Sequence, residues 1–146
     1  MSQRLRGRVI ATALVVPLLA VLAACGDSDK KDAKKAATAA CPSTINQTVS
    51  TQPPSDLPAP GGSAYDYSNQ GKTQVWFFAI SGSADQLPSL RDAYDQQLTG
   101  KGYKIEGTDQ EEGAEAESDF NGPHEGTTNF RPLCTGKVVF RLKLTS

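Results

Sequence analysis

Histidine is almost missing from this sequence: His124 is the only one in 146 residues. A serine or cysteine nucleophile with an imidazole base would have to use it. The residues around it, Asn121-Gly122-Pro123-His124, read as a solvated turn. No GxSxG elbow is present, and the serines of Ser81-Gly82-Ser83 stand in no catalytic motif. A zinc site needs three or four ligands and finds one histidine and no CxxC pair. Enzymatic, metal and cofactor chemistry are therefore not expected. Basic charge is scarce as well. The formal net charge is −1, and from Cys41 onward 8 basic side chains face 13 acidic ones. A segment that acidic repels a phosphate backbone, which argues against a nucleic-acid partner. A long apolar run is missing too. The longest, Val9 to Ala24, has 16 residues and contains Pro17, short of the roughly 20 that a membrane-crossing helix needs.

What the N-terminus does have is a sorted layout. Arg4, Arg6 and Arg8 precede the apolar run, no acid does, and small residues follow it. That is the arrangement of a secretory signal, here residues 1–24, and the lack of paired arginines favours the general export route. Leu22-Ala23-Ala24-Cys25 resembles the lipobox of bacterial lipoproteins at all four positions. The resemblance implies that the Cys25 thiol is diacylated and that cleavage just before it makes Cys25 the first mature residue. Small side chains at 23 and 24 fit a narrow protease cleft, and two acyl chains anchor stably where one does not. Gly26 follows, not the aspartate that retains some Gram-negative lipoproteins at the inner membrane. The alanine- and glycine-rich flavour resembles actinobacterial chains, which implies the extracytoplasmic face of the cell membrane as the destination.

The sequence has three cysteines. With Cys25 carrying lipid, Cys41 and Cys134 remain, either as a disulfide in an oxidising compartment or as two free thiols. A bridge would close a loop for which the chain-entropy model gives roughly 4–5 kcal/mol.

Residues 25–40 read as a lipidated N-terminus and flexible tether. Lys30, Lys31, Lys34 and Lys35 alternate with Asp27, Asp29 and Asp32, and no apolar face is left to bury. Such a coil would span about 20 Å, and its lysines could touch anionic headgroups. Residues 41–62 form a Pro/Gly-rich irregular segment, expected to wrap over the domain once Cys41 is pinned.

From residue 63 to 146 the periodicities describe one α+β domain. Ala64–Ser68 and Thr73–Ser81 form a hairpin around Asn69-Gln70-Gly71. Leu87, Leu90, Tyr94 and Leu98 make a helical stripe, with Arg91, Asp92, Asp95 and Gln96 off it. Asp85 is placed to cap its first turn and Gly100 to end it. Strand character follows at Tyr103–Glu106, Glu115–Asn121, Thr127–Arg131 and, most clearly, Lys137–Leu144, where Val138, Phe140, Leu142 and Leu144 share one face. The expected architecture is a curved antiparallel sheet of about five to six strands with one helix, in the order β-β-α-β-β-β.

Two features bear on binding. Glu106, Asp109, Glu111, Glu112, Glu115, Glu117 and Asp119 cluster in sequence, yet no calcium loop is present and a strand spreads them along a line. An acidic edge that discourages strand pairing accounts for them equally. On Thr73–Ser81, Trp76, Phe78 and Ile80 face one way and Val75, Phe77 and Ala79 the other. One helix covers one face, so the sheet rolls up, the Pro-rich segment covers the rest, or an apolar groove remains. Trp76, Phe78 and Ile80 are the candidate ligand or partner surface. "GKTQVWFFAISGSA", "GTDQEEGAEAESDFNGPHEGT" and "RPLCTGKVVF" resemble a group of small actinobacterial lipoproteins without assigned activity. The expected function is a membrane-anchored, non-enzymatic binding domain. Its alternatives are a carrier of a lipid or other apolar ligand and an inhibitor of a secreted hydrolase, the latter using a protruding loop such as 121–126.

Overall fold

Strict alternation in "KVVFRLKLT" sends every second side chain to one face, and that face is the core. In the computed structural model, which describes residues 27–146, Val138, Phe140, Leu142 and Leu144 are buried. The expected signal, the lipobox and Cys25 lie outside the described residues. Six strands form one open antiparallel sheet: β1 (Ala64–Gln70), β2 (Thr73–Ser81), β3 (Lys104–Glu111), β4 (Glu115–Asn121), β5 (Glu125–Cys134) and β6 (Lys137–Thr145). Their order across the sheet is β1-β2-β6-β5-β4-β3. The chain thus makes a hairpin, crosses by a helix to the far edge, and returns as a four-stranded meander until β6 pairs with β2. The α+β class and the antiparallel sheet are as expected. Four strands follow the crossing helix, on the four segments with strand character, one more than the order β-β-α-β-β-β holds.

The crossing helix, α2, spans Leu87–Gly100 and packs against β3, β4 and β5. A 3-10 turn at Ala84–Gln86 leads into it, and its cap differs from expectation. Ser83 forms a reciprocal capping box with Gln86, while Asp85 accepts a hydrogen bond from the Ser83 hydroxyl. At the other end Gly100 is the last helical residue, and Gly102 makes the left-handed turn at φ +88 that a side chain would disfavour. The buried face is Leu87, Arg91, Tyr94, Asp95 and Leu98, so Arg91 and Asp95 lie on the stripe and not off it.

The 25–40 stretch is not a coil where it is described. A second helix, α1, runs Asp27–Thr38. Alanine and lysine are strong helix formers, and Lys35 sits in the last turn, where its charge suits the exposed carbonyls. A 12-residue helix is marginal alone in water. This one rests on β5 and on the turn before α2, with Ala33, Ala36 and Ala37 half-buried. Alanine does not register as an apolar stripe, which is why the sequence reads as a spacer. At its end the Ala39 carbonyl accepts hydrogen bonds from the Thr135 amide (3.0 Å) and hydroxyl (3.1 Å).

Cys41 and Cys134 form a disulfide with their Cα atoms 5.0 Å apart, inside the usual range. From there residues 41–62 cross the core face as a strap. The strap buries Leu57 and packs Val49 against the core.

The fold yields two stability predictions. A Cβ on Gly126 would overlap the Lys143 carbonyl oxygen and crowd Phe120 and Leu144. Gly126→Ala should therefore cost about 1–3 kcal/mol in urea denaturation, whereas Gly100→Ala, which meets nothing within 4 Å, should be neutral or stabilise by up to about 1 kcal/mol. Replacing both Cys41 and Cys134 by alanine should cost about 2–5 kcal/mol, read as a lower denaturation midpoint that reductant no longer affects.

Candidate functional site

Trp76, Phe78 and Ile80 come together, but inside. They are 1%, 1% and 7% exposed, so the strand's aromatic face is core and not a ligand or partner surface. The strap supplies the cover. The Trp76 indole Nε1 donates to the Thr51 carbonyl at 3.1 Å. Tyr67 lies against the same indole at 5.2 Å between ring centroids, and Phe78 packs on Phe140 at 5.6 Å. The half-exposed apolar residues of β2 are the opposite set, Val75, Phe77 and Ala79. Val139 pairs beside Ala79, and Tyr65 approaches Phe77 at 6.4 Å.

The strap is held by side chains no motif announces. The Tyr94 hydroxyl donates to the Pro58 carbonyl (3.1 Å), and the Lys101 ammonium donates to the Leu57 carbonyl (3.4 Å). Tyr103 donates to Asp56 Oδ2 at 2.7 Å, while His124 Nε2 lies 3.2 Å from Asp56 Oδ1. The Tyr103 hydroxyl, with help from His124, holds the Asp56 carboxyl below its ordinary range against a desolvation that pushes it up. Burial and then Asp56 push the Tyr103 phenol up. His124 therefore sits beside a carboxylate, at 35% side-chain exposure. Among the described residues no serine or cysteine hydrogen-bonds it. The pair clamps the strap to the β4–β5 turn.

The acidic run divides between an edge and a face. β3 is an edge strand and is exposed along most of its length. On β4, Glu115, Glu117 and Asp119 face outward, where β5 and β6 answer each one. Buried Asn129 donates to both Glu115 Oε2 and Glu117 Oε2 at 3.0 Å, and Arg131 pairs with Glu115. Arg141 lies 3.7 Å from Glu117, and the Thr127 hydroxyl donates to Asp119 at 2.9 Å. Among the described residues no group of three or more His, Cys, Asp or Glu is placed to hold a metal ion. Partial burial pushes the Glu115 carboxyl up, but Asn129 and Arg131 outweigh it and hold it below the usual carboxylate range.

A second polar cluster lies under α2. Asp95 is 9% exposed; its Oδ2 accepts from the Ser118 hydroxyl at 2.6 Å and its Oδ1 has no partner. Burial pushes this carboxyl up, more than Ser118 and Arg91 pull it down. Arg91 reaches past it to the Asp109 carbonyl at 3.2 Å and so ties α2 to the edge strand.

Two surface hollows among the described residues are several hundred cubic ångströms in volume. One of about 390 Å³ lies between α1 and the β3–β4 turn, lined by Asp32, Ala33, Ala36, Glu111, Ala114, Glu115, Arg131 and Pro132. The other, about 410 Å³, lies on the outer face near the β4–β5 turn and includes Glu106, Asp119, Glu125, Thr127 and Lys143. Both carry charged rims. Comparison with protein-family models, curated proteins and solved structures finds no match to this chain.

The two shifted carboxyls give opposite pH signatures. Asp95 has its folded pKa raised, so its contribution favours the fold at low pH and fades as pH rises from about 4 through the folded value. Glu115 is depressed, so its contribution is present above about pH 4.5 and is lost on acidification. Asp95→Asn should thus flatten the loss of stability between mildly acidic and neutral pH. Glu115→Gln should lower stability at pH 7 more than at pH 3. Melting temperatures across that range check both signs.

Proposed function

We propose that this chain is a lipid-anchored module displayed on the extracytoplasmic face of a cell membrane, where the domain from Cys41 to Ser146 binds a partner and catalyses nothing. The observation that carries the reading is the Cys41–Cys134 disulfide. It uses two of three cysteines and fits an oxidising compartment. The third, Cys25, then stands alone after a short apolar run that ends in Leu22-Ala23-Ala24. Among the described residues no helix is long and apolar enough to cross a membrane, and the run from Val9 to Ala24 is shorter than a span, which supports attachment by acyl chains.

Binding in preference to carriage follows from what fills the core. An apolar carrier needs a dry cavity of several hundred cubic ångströms. Here the Trp76 face is occupied by the strap and by α2, and the hollows have charged rims. Val75, Phe77 and Ala79 on the outer face replace Trp76, Phe78 and Ile80 as the apolar groups a protein partner would cover. An inhibitory role for residues 121–126 has less support, since His124 is engaged with Asp56.

Intact-mass measurement of the membrane-extracted protein tests the anchor. The expected mass begins at Cys25, carries two or three acyl chains and lacks two hydrogens for the bridge. Cys25→Ser should abolish the acyl mass and move the protein out of the mature membrane-bound form. A mature protein of unmodified mass in the soluble fraction would overturn the reading.

A further inference from the structure

The position of α1 bears on how such a module sits on its membrane. A coil between Cys25 and Cys41 would let the domain tumble, but the described part of that stretch is helical and is held at several points. Ala33, Ala36 and Ala37 are half-buried, Ala39 is bonded to Thr135, and the disulfide follows two residues later. The helix lies across one end of the sheet. That end carries the β3–β4 turn, the β5–β6 turn and the start of α2, because Glu111 pairs with Glu115 and Cys134 with Lys137 there. Asp32, Ala33 and Ala36 border the same hollow as Glu111 and Ala114, so the middle of α1 faces the β3–β4 turn across it.

Chain lengths then decide the orientation. From Asp32 back to Asp27 is about 8 Å of helix. From Asp27 to Cys25 two peptide units reach at most about 7 Å. An acylated Cys25 is thus within about 15 Å of Asp32, which borders the same hollow as the β3–β4 turn, whereas strands of nine residues put the opposite end about 30 Å farther along the sheet. We propose that α1 is a docked arm that seats the domain on the lipid surface. The β3–β4 and β5–β6 turns face the headgroups, and the β1–β2 and β4–β5 turns point away from the bilayer. This rests on the acylation of Cys25 proposed above. It leaves the strap clamp at Asp56 and His124, and the far ends of both hairpins, as the part of the domain open to a partner.

The test uses full-length acylated protein in phosphatidylcholine–phosphatidylglycerol vesicles that contain a headgroup nitroxide lipid. A fluorophore is attached, with the disulfide intact, to Glu112→Cys at the β3–β4 turn or to Gln70→Cys at the β1–β2 turn, both exposed positions. Quenching should be several times stronger at 112 than at 70. Ala36→Pro, which breaks α1 within the arm, should bring the two values together while the purified protein keeps its melting transition and disulfide. Equal quenching at both positions in the parent protein, stronger quenching at 70, or no response to Ala36→Pro overturns the docked arm. Protein that lacks acyl mass and does not bind the vesicles instead overturns the anchor, and the orientation falls with it. The mass spectrum of the same sample tells the two failures apart.

Discussion

A single helix is too narrow for this sheet. Six strands at about 4.8 Å spacing place the outer two some 24 Å apart, and a helix with its side chains covers about 10–12 Å. α2 lies over β3, β4 and β5, and Tyr94 reaches as far as Phe140 on β6. That leaves the β1–β2 side, which carries Trp76 and Phe78, to be covered by something else. The strap from Cys41 to Gly62 does this with a 3-10 turn at Ser43–Asn46 and otherwise irregular chain. Its Val49 amide donates to the Ala64 carbonyl of β1, but its proline-rich backbone forms no strand, so its carbonyls must find donors elsewhere. Trp76, Tyr94 and Lys101 provide them. The disulfide fixes where the strap begins, and Tyr103 with His124 fixes Asp56 in its middle. Without these pins, a segment so poor in apolar side chains would gain little from lying down.

That division explains how much of the molecule was legible beforehand. β4 and β6 alternate cleanly and fall where alternation puts them, because each has one face in the core and one outside. β2 is apolar on both faces, and alternation alone does not say which face is inside. The answer depends on the strap, forty residues away in places, so Trp76, Phe78 and Ile80 read equally well as surface or core. Arg91 and Asp95 were misplaced for a related reason. A helical stripe drawn through leucines and a tyrosine omits charged residues, although Arg91 is needed to bond the Asp109 carbonyl of an edge strand. Asn129 carried no signal at all. Its burial follows from two glutamates that become its neighbours only when β4 and β5 pair.

The outer face shows why acids clustered in sequence need not converge on a metal ion. A cation requires oxygens converging on a point, and a strand delivers them in a line that its neighbours read one at a time. On β4 the neighbours are an amide, two guanidinium groups and a hydroxyl, and Glu115, Glu117 and Asp119 end as cross-strand pairs. Asp95 is the contrasting case, a carboxylate under a helix with only one oxygen satisfied. Glu115, held low by Asn129 and Arg131, favours the fold at neutral pH, and half-satisfied Asp95, pushed up by burial, opposes it.

The same logic of pinned polar chain extends to α1. Alanine and lysine make a helix that water alone would barely sustain, and it persists because one end is tied to Thr135 and the next cysteine is covalently fixed. A disulfide that closes the strap therefore also holds the end of the helix preceding it, three residues after Thr38 and beside the Ala39–Thr135 bonds. If the chain continues into an acylated cysteine only two residues earlier, little slack remains between lipid and sheet. The covalent link that pins a proline-rich strap over one side of the core would then also set which end of the domain meets the membrane.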